Sequence, residues 1–529
     1  MEKLVWPPWV GYHYEVILQA TAMKAIQRAS FISVVAILSI TIQARAERPT
    51  VLLVKPVILC DDDGKNPARH ALPKTLVDQV YTKGDLEFLY LPPAHWHFGK
   101  ARRGEVNLDA IVEQGHANGM IARAPKIATL LFVSAVDGKT QPLGRGLQGG
   151  NICFVNLGAP DKMADPAERA FVVAHEVGHC LGMIHAVDDL KVPNDVPNLQ
   201  GDGPFAERLA IDGLHPSQVK TLRCSPLVLP RLQFYGRQET TKLICEDSWD
   251  LPLNLLPPDN LRFEVGLAPN TDLPKNAEES LTYIKEKYAE LSSEFTDKDK
   301  TQLTNWVTRL NDLTSETWPM ISAIPWHFAK MQPTFCKGRP HTRGLAIVLT
   351  EGALERFRKN ETQAFSILLH EKLHVIQRLM PYAFEAAFKR YGYQSITLPS
   401  DTVQRFNFVR NPDAPTSKWA IRHQEQLLLL ATSLRHKGDD FEFVEKAYPT
   451  DGQSLGDPLE DSNILDHWRA GFPIPTGHDH PNEVSAYLLG QLFMADLLDK
   501  PSLLTRVQRD LLKQERPFFV EMLSVPITE

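Results

Sequence analysis

Six cysteines in 529 residues are far too few to staple a chain of this length with disulfides. No apolar run reaches the roughly 20 residues that a comfortable membrane span needs, which excludes a polytopic membrane protein. Positive charge is also in deficit. Fifty-seven Lys and Arg against 64 Asp and Glu leave a formal charge of −7, the opposite of the basic surface that a general nucleic-acid binder carries. There is no glycine-rich loop to cradle phosphate, no Gly-x-Ser-x-Gly elbow, no low-complexity tract and no strict repeat. What is present is ordinary globular composition, 43% hydrophobic and 23% charged, in a chain too long for one compact core. Two domains are expected, or three, joined by loops in which many of the 39 prolines cluster.

The first 46 residues do not read like the rest. Lys24 and Arg28 precede an apolar run from Phe31 to Ile42, and Ala44-Arg45-Ala46 follows. A basic start, a short apolar stretch and a small-x-small site make a secretory signal that effectively begins at Met23 and is cut after Ala46. Residues 1–22 then read as an upstream extension; an uncleaved anchor is the competing reading. The mature chain would be secreted or periplasmic, would keep no stable membrane span and would carry a net charge of about −9. All six cysteines survive the cut, and their even number allows pairing in an exported protein.

Short apolar, β-branched or aromatic runs at Thr50–Leu59, Leu86–Leu91, Ile127–Ala135 and Ile152–Leu157 predict strands. Helical patterns fall between them at Lys74–Tyr81 and Leu108–Ala117, which implies a sheet layered with helices. A further helix near Ala164–Leu181 has a well-marked start: Asp165 as N-cap, Pro166 in the first turn and Glu168 three after the cap. Residues 233–275 read as a proline-rich, irregular linker. Beyond it come helices near Ala277–Ser293 and Asp297–Asp312, a strand at Gly344–Leu349 and a capped helix that begins at Asn360. The C-terminal third reads as mainly helical. His95-Trp96-His97 is expected in a surface loop after Pro92-Pro93.

Residues 175–185 read His-Glu-Val-Gly-His-Cys-Leu-Gly-Met-Ile-His. Four residues apart on a helix, His175 and His179 present both imidazoles on one face, as a shared metal requires. Glu176 stands beside the first and can act as general base on a water. Gly182 can take a left-handed conformation, end the helix and bring His185 round to a third ligand position. Cys180 reads as buried packing rather than a thiolate ligand.

This run resembles the metzincin zinc peptidases over roughly Arg48 to Leu229. The resemblance implies a mixed sheet followed by the active-site helix, with His175, His179 and His185 as metal ligands and Glu176 as catalytic base. It also implies that Ile152–Leu157 is the edge strand along which an extended substrate lies. One departure stands out: metzincins carry a methionine turn beneath the metal, and no methionine occurs between Met183 and Met320. Asn198-Leu199-Gln200-Gly201 occupies that place, so Gln200 or Leu199 would replace the methionine.

A second His-Glu-x-x-His, His370-Glu371-Lys372-Leu373-His374, lies inside another capped apolar helix. No Gly-x-x-His follows, so a third ligand must come from elsewhere. Glu483, in Asn482-Glu483-Val484-Ser485-Ala486, is the best candidate; Glu385 is a weaker one, and His478 and His480 could compete. The arrangement resembles the gluzincins, which implies His370, His374 and Glu483 as ligands and Glu371 as a second catalytic base. Tyr487 and Tyr382 are possible hydrogen-bond donors to an oxyanion there.

The expected fold class is thus α+β, with two zincin-like lobes: residues 47–232, a mixed sheet with an active-site helix, and residues 276–529, mainly helical. The expected function is that of an exported zinc metalloendopeptidase with one Zn²⁺ in the first lobe, a second in the C-terminal lobe, and a protein or peptide substrate. Two other readings stay open: a zinc-binding but inactive adhesion or assembly module, and a hydrolase of a non-peptide amide.

Overall fold

The computed structural model describes residues 50–121, 126–136, 143–158, 165–186, 188, 198–200, 214–246, 252–399, 401–413, 419–459, 464–466, 469, 474, 477 and 480–523. The leader expected at 1–46 lies outside the described residues. From Val51 onward the described residues form one compact unit.

The first sheet has seven strands: β1 (Thr50–Cys60), β2 (Leu86–Tyr90), β3 (Ala94–His97), β4 (Ala128–Phe132), β5 (Leu143–Gly146), β6 (Ile152–Asn156) and β7 (Val228–Pro230). Its main order is β2-β1-β4-β6-β5, with β3 and β7 also pairing β1. β1, β4 and β6 run parallel, and β5 is antiparallel to β6. The helices α1 (Lys74–Tyr81) and α2 (Leu108–Ala117) span the expected residues. α3 (Pro166–Cys180) starts as the sequence predicts, with the Asp165 carboxylate accepting from the Glu168 amide at 2.8 Å. α4 (Pro216–Arg223) follows. Alternate residues of β4 and β6 enter two different cores. Leu130, Phe132, Cys153 and Val155 face α1 and α3, while Leu131, Val133, Ile152 and Phe154 join Ile111 of α2 on the other face. Covered on both sides, β4 and β6 are buried at every position, which is why they read as unbroken apolar runs.

Two sequence expectations need correction here. Ile152–Leu157 is not an edge strand: β6 is flanked by β4 and β5, and β5 forms the edge. His95-Trp96-His97 is not a loop but part of β3, paired parallel with β1. Trp96 is buried while His95 and His97 are exposed, so a period-two pattern was hidden behind two prolines.

The supposed linker at 233–275 is also structured. β8 (Leu232–Phe234) opens a second, five-stranded sheet, and α5 (Arg237–Cys245) follows it. That sheet runs β11-β12-β10-β8, where β10 is Trp326–Met331, β11 is His341–Arg343 and β12 is Ala346–Thr350; β9 (Ser292–Ser293) pairs β10. Around it lie α6 (Ala277–Leu291), α7 (Asp297–Thr314), α8 (Glu351–Lys359), α9 (Glu361–Leu379), α10 (Pro381–Arg390), α11 (Pro481–Asp496) and α12 (Arg506–Leu523). A third sheet was not expected. Its antiparallel strands are β13 (Tyr393–Ser395), β14 (Trp419–His423), β15 (Gln426–Lys437) and β16 (Asp440–Pro449). The fold is α+β, as expected, with more strand in its second half than the sequence announces.

One buried cluster is shared by the two halves. Val51, Leu53, Leu89, Leu91 and Ile127 pack into the same buried cluster as Trp326, Phe328, Leu369 and Leu373. Tyr382 of α10 donates its hydroxyl to the Pro92 carbonyl, and Lys55 of β1 lies 5.5 Å from the centre of its ring. Tyr382 is therefore a bracket between halves, not a donor near the second histidine pair. None of the six cysteines is bonded to another. Among the described residues, no helix is long and apolar enough to cross a membrane.

Candidate metal centres

α3 buries Ala170, Phe171, Val173, Ala174 and Val177 against the sheet, and at about 1.5–3 kcal/mol per large apolar side chain this face anchors the helix. The opposite side carries His175 and His179. Gly182, at φ +95°, ends the helix and turns the chain so that His185 returns to the pair. The Nε2 atoms of His175 and His185 lie 3.2 Å apart, and the His179 ring is 4.8 Å from each of the other two, centre to centre. One ligand nitrogen from each of the three residues falls within 4.8 Å of the others.

Backbone carbonyls decide which nitrogen points inward. His175 Nδ1 is 3.0 Å from the Leu199 carbonyl and His179 Nδ1 is 2.8 Å from the Met183 carbonyl. A carbonyl only accepts, so each Nδ1 holds the proton and each Nε2 presents a lone pair to the centre. Three imidazoles converging in this way fit a zinc site. His185 is exposed and the other two are half-buried, so one side of the cluster is open to solvent. Burial lowers the pKa of His179, opposed by the Met183 carbonyl, which favours the neutral, ligating form.

Glu176 is held by the edge strand. Its Oε2 accepts from the Gly146 amide at 2.5 Å, and burial pushes its pKa up to about 7 against that hydrogen bond. A Cβ on Gly144 would lie 2.2 Å from Glu176 Cγ, and one on Gly146 would lie 2.3 Å from the Glu176 carbonyl oxygen. Only glycine lets strand and helix approach this closely. Beneath the helix runs Asn198-Leu199-Gln200. Gln200 Nε2 donates to the His175 carbonyl at 2.9 Å, and its own amide donates to Asn198 Oδ1 at 3.0 Å. The stretch expected to replace a methionine turn thus supports the first histidine by hydrogen bonds. Cys180 is buried and its thiol donates to the Ile152 carbonyl at 3.3 Å, the packing role expected of it.

The second pair sits on α9, whose cap is Asn360 accepting from the Gln363 amide at 3.1 Å. His370 and His374 face each other with 3.0 Å between their Nε2 atoms. Glu483, in the first turn of α11, brings Oε2 to 3.3 Å from His370 and 3.7 Å from His374. Gln377 Nε2 donates to the Asn482 carbonyl, which leaves Gln377 Oε1 as acceptor for His374 Nδ1 at 2.8 Å. His374 therefore also turns its Nε2 lone pair inward, and the two imidazoles with Glu483 fit a metal.

This cluster is more enclosed than the first, although the His370 side chain stays 12% exposed. His374 is fully buried, Glu371 is 3% exposed and Glu483 8%. The Tyr487 ring covers His370 at 4.4 Å, and Gly477 presses so close that a Cβ there would lie 2.6 Å from Glu483 Cβ. Burial pushes the Glu371 pKa well up, with the Asp413 charge adding to it. Burial alone would lower His374, but Asp413 and Glu483 outweigh it and raise that pKa to about 9.

Of the weaker candidates, Glu385 is on the surface, 3.7 Å from Lys389, and His480 caps α11 by accepting from the Asn482 amide at 3.1 Å. His478 lies outside the described residues. Sequence reasoning missed Asp413, Asn411 and Gln377. Asn411 Nδ2 donates to Glu483 Oε1 at 2.9 Å, and Asp413 is grouped with Glu371 and His374. Only an Asn-Pro-Asp turn marks the loop that supplies two of them.

No family model and no curated protein matches the chain. Among solved structures it is similar to archaemetzincin from Archaeoglobus fulgidus, at 14% identity over 32% of this chain and 99% of that one, with a TM-score of 0.21. Archaemetzincin from Methanopyrus kandleri gives 14% identity over 32% of this chain and 94% of that one, again with a TM-score of 0.21. At those scores the likeness decides neither fold nor function.

Proposed function

We propose that the protein is a zinc-dependent peptidase whose chemistry takes place at His175, His179 and His185, with Glu176 as general base. One observation carries the reading: carbonyl-fixed imidazoles converge on a solvent-open point beside a carboxylate held away from water. When bound there, Zn²⁺ supplies Lewis acidity, lowering the pKa of a water and polarising a carbonyl oxygen.

Glu176 takes the proton of the attacking water and returns it to the leaving amine. Gly146 orients that carboxylate through its amide. The outer edge of β5 offers backbone groups on which an extended peptide can add as a strand. Leu199 and Met183 keep the two helical imidazoles in the ligating tautomer. Export of the mature chain belongs to the same proposal and rests on the leader sequence. The test is a peptide-library digest by the full mature chain before chelation, after chelation and after zinc is restored. Cleavage that disappears and returns with the ion supports the reading; cleavage that survives complete zinc removal overturns it.

A further inference from the structure

The three rings of the first centre are not held equally. His175 and His179 each lean on a backbone carbonyl through Nδ1. Among the described residues, the His185 ring has only His175 Nε2 within hydrogen-bond distance, at 3.2 Å. Exposed and with no carbonyl to orient its ring, His185 stays in the triad only as well as the backbone beside it is placed. Gln200 fastens that backbone: its carbonyl accepts from the Ala186 amide at 3.1 Å. Its side chain reaches the other half of the triad, where Nε2 donates to the His175 carbonyl at 2.9 Å. One residue thus joins the helix to the chain that returns after Gly182.

Two features of this contact work against stability. Gly178 sits inside α3, where glycine is a poor helix former, and a Cβ there would lie 2.4 Å from Gln200 Nε2. Gln200 is 2% exposed, and its Oε1 has no hydrogen-bond partner among the described residues. An unbranched apolar side chain of the same length would not carry that penalty. Packing alone therefore favours neither glycine at 178 nor an amide at 200. The turn is also anchored from outside. Asn198 Oδ1 accepts from the Gln200 amide at 3.0 Å and from Gln218 Nε2 at 3.4 Å, and Gln218 Oε1 accepts from the His215 amide at 3.0 Å.

We propose that Gln200 is a positioning residue that clasps His185 to the helical pair, so that it governs how firmly the first centre holds its ion and not how firmly the chain holds its fold. The proposal rests on the reading of His175, His179 and His185 as ligands, but it does not require a peptide substrate. Without the Nε2 donor, the Leu199-Gln200 turn is free to move off the helix. The carbonyl that fixes the His175 tautomer and the backbone that places His185 then move with it.

The test compares the full chain with its Gln200→Met and Gly178→Ala variants. Zinc affinity is measured by competition with a chelator, the ion of the first centre being the one that His179→Ala lacks. Denaturant unfolding is followed on the zinc-free chains. Gln200→Met should hold that ion roughly ten- to a hundredfold less tightly, with a zinc-free unfolding midpoint equal to or above that of the wild type. Gly178→Ala, which pushes the Gln200 amide off the helix, should weaken the grip in the same direction. Wild-type affinity in a folded Gln200→Met chain, or in Gly178→Ala should the first not fold, overturns the proposal. So does a loss of affinity matched by an equal loss of zinc-free stability, the signature of a merely structural contact. No peptide is present, so failure of the clasp and failure of the hydrolytic reading are separate results.

Discussion

The two histidine pairs stand on helices of one design, yet their surroundings differ at each level. On α3 the chain breaks at Gly182 and supplies its third imidazole at once; on α9 it runs on to Leu379 and takes its third ligand from Glu483, more than a hundred residues away. The first cluster is made of imidazoles only and is open on the side of His185. The second adds carboxylates and is more closely covered, by Tyr487, Gly477 and the 411–413 loop. The shared motif places two nitrogens on a helix face. What surrounds that face decides whether a reactant can reach it.

Four substitutions would break or sharpen this contrast. The largest effect is expected at the first centre: His179→Ala should lower peptide hydrolysis more than about a thousandfold, because a two-imidazole site loses its ion. His374→Ala should act on stability. It leaves Glu483 and Asp413 buried without their imidazole, at a cost of about 3–5 kcal/mol seen in denaturant unfolding. Gly144→Ala should cost about 1–3 kcal/mol through overpacking and displace Glu176, lowering turnover by about a hundredfold at constant zinc content. The smallest effect on stability belongs to His185→Ala. Its exposed side chain should change the stability of the zinc-free chain by no more than about 0.5 kcal/mol, although the ion is lost. Equal stability losses for His185→Ala and His374→Ala in zinc-free protein would erase the open-versus-closed distinction.

Much of this was legible in the sequence because it is local. Asp165-Pro166 with Glu168 starts α3, Asn360 starts α9, and the His-Glu-x-x-His spacing follows from 3.6 residues per turn. Non-local pairing was hidden. β5 carries Gly144 and Gly146, which give no strand signal and are there because Glu176 and His179 press on the strand. The run Leu427–Leu430 in β15 has no period of its own, and its strand character comes from pairing with β16 across the turn at Gly438, φ +62°. Asp413 belongs to no motif; Thr342 and Asn482 bring it to α9, and tertiary contacts of that kind leave no spacing to read.

The most direct measurement is the turnover of one peptide substrate by Glu176→Gln and by Glu371→Gln, each at the wild-type metal content under saturating zinc. The account predicts a loss of about 10²–10⁴-fold for Glu176→Gln and wild-type turnover for Glu371→Gln. Full activity in Glu176→Gln, or the larger loss in Glu371→Gln, would contradict it.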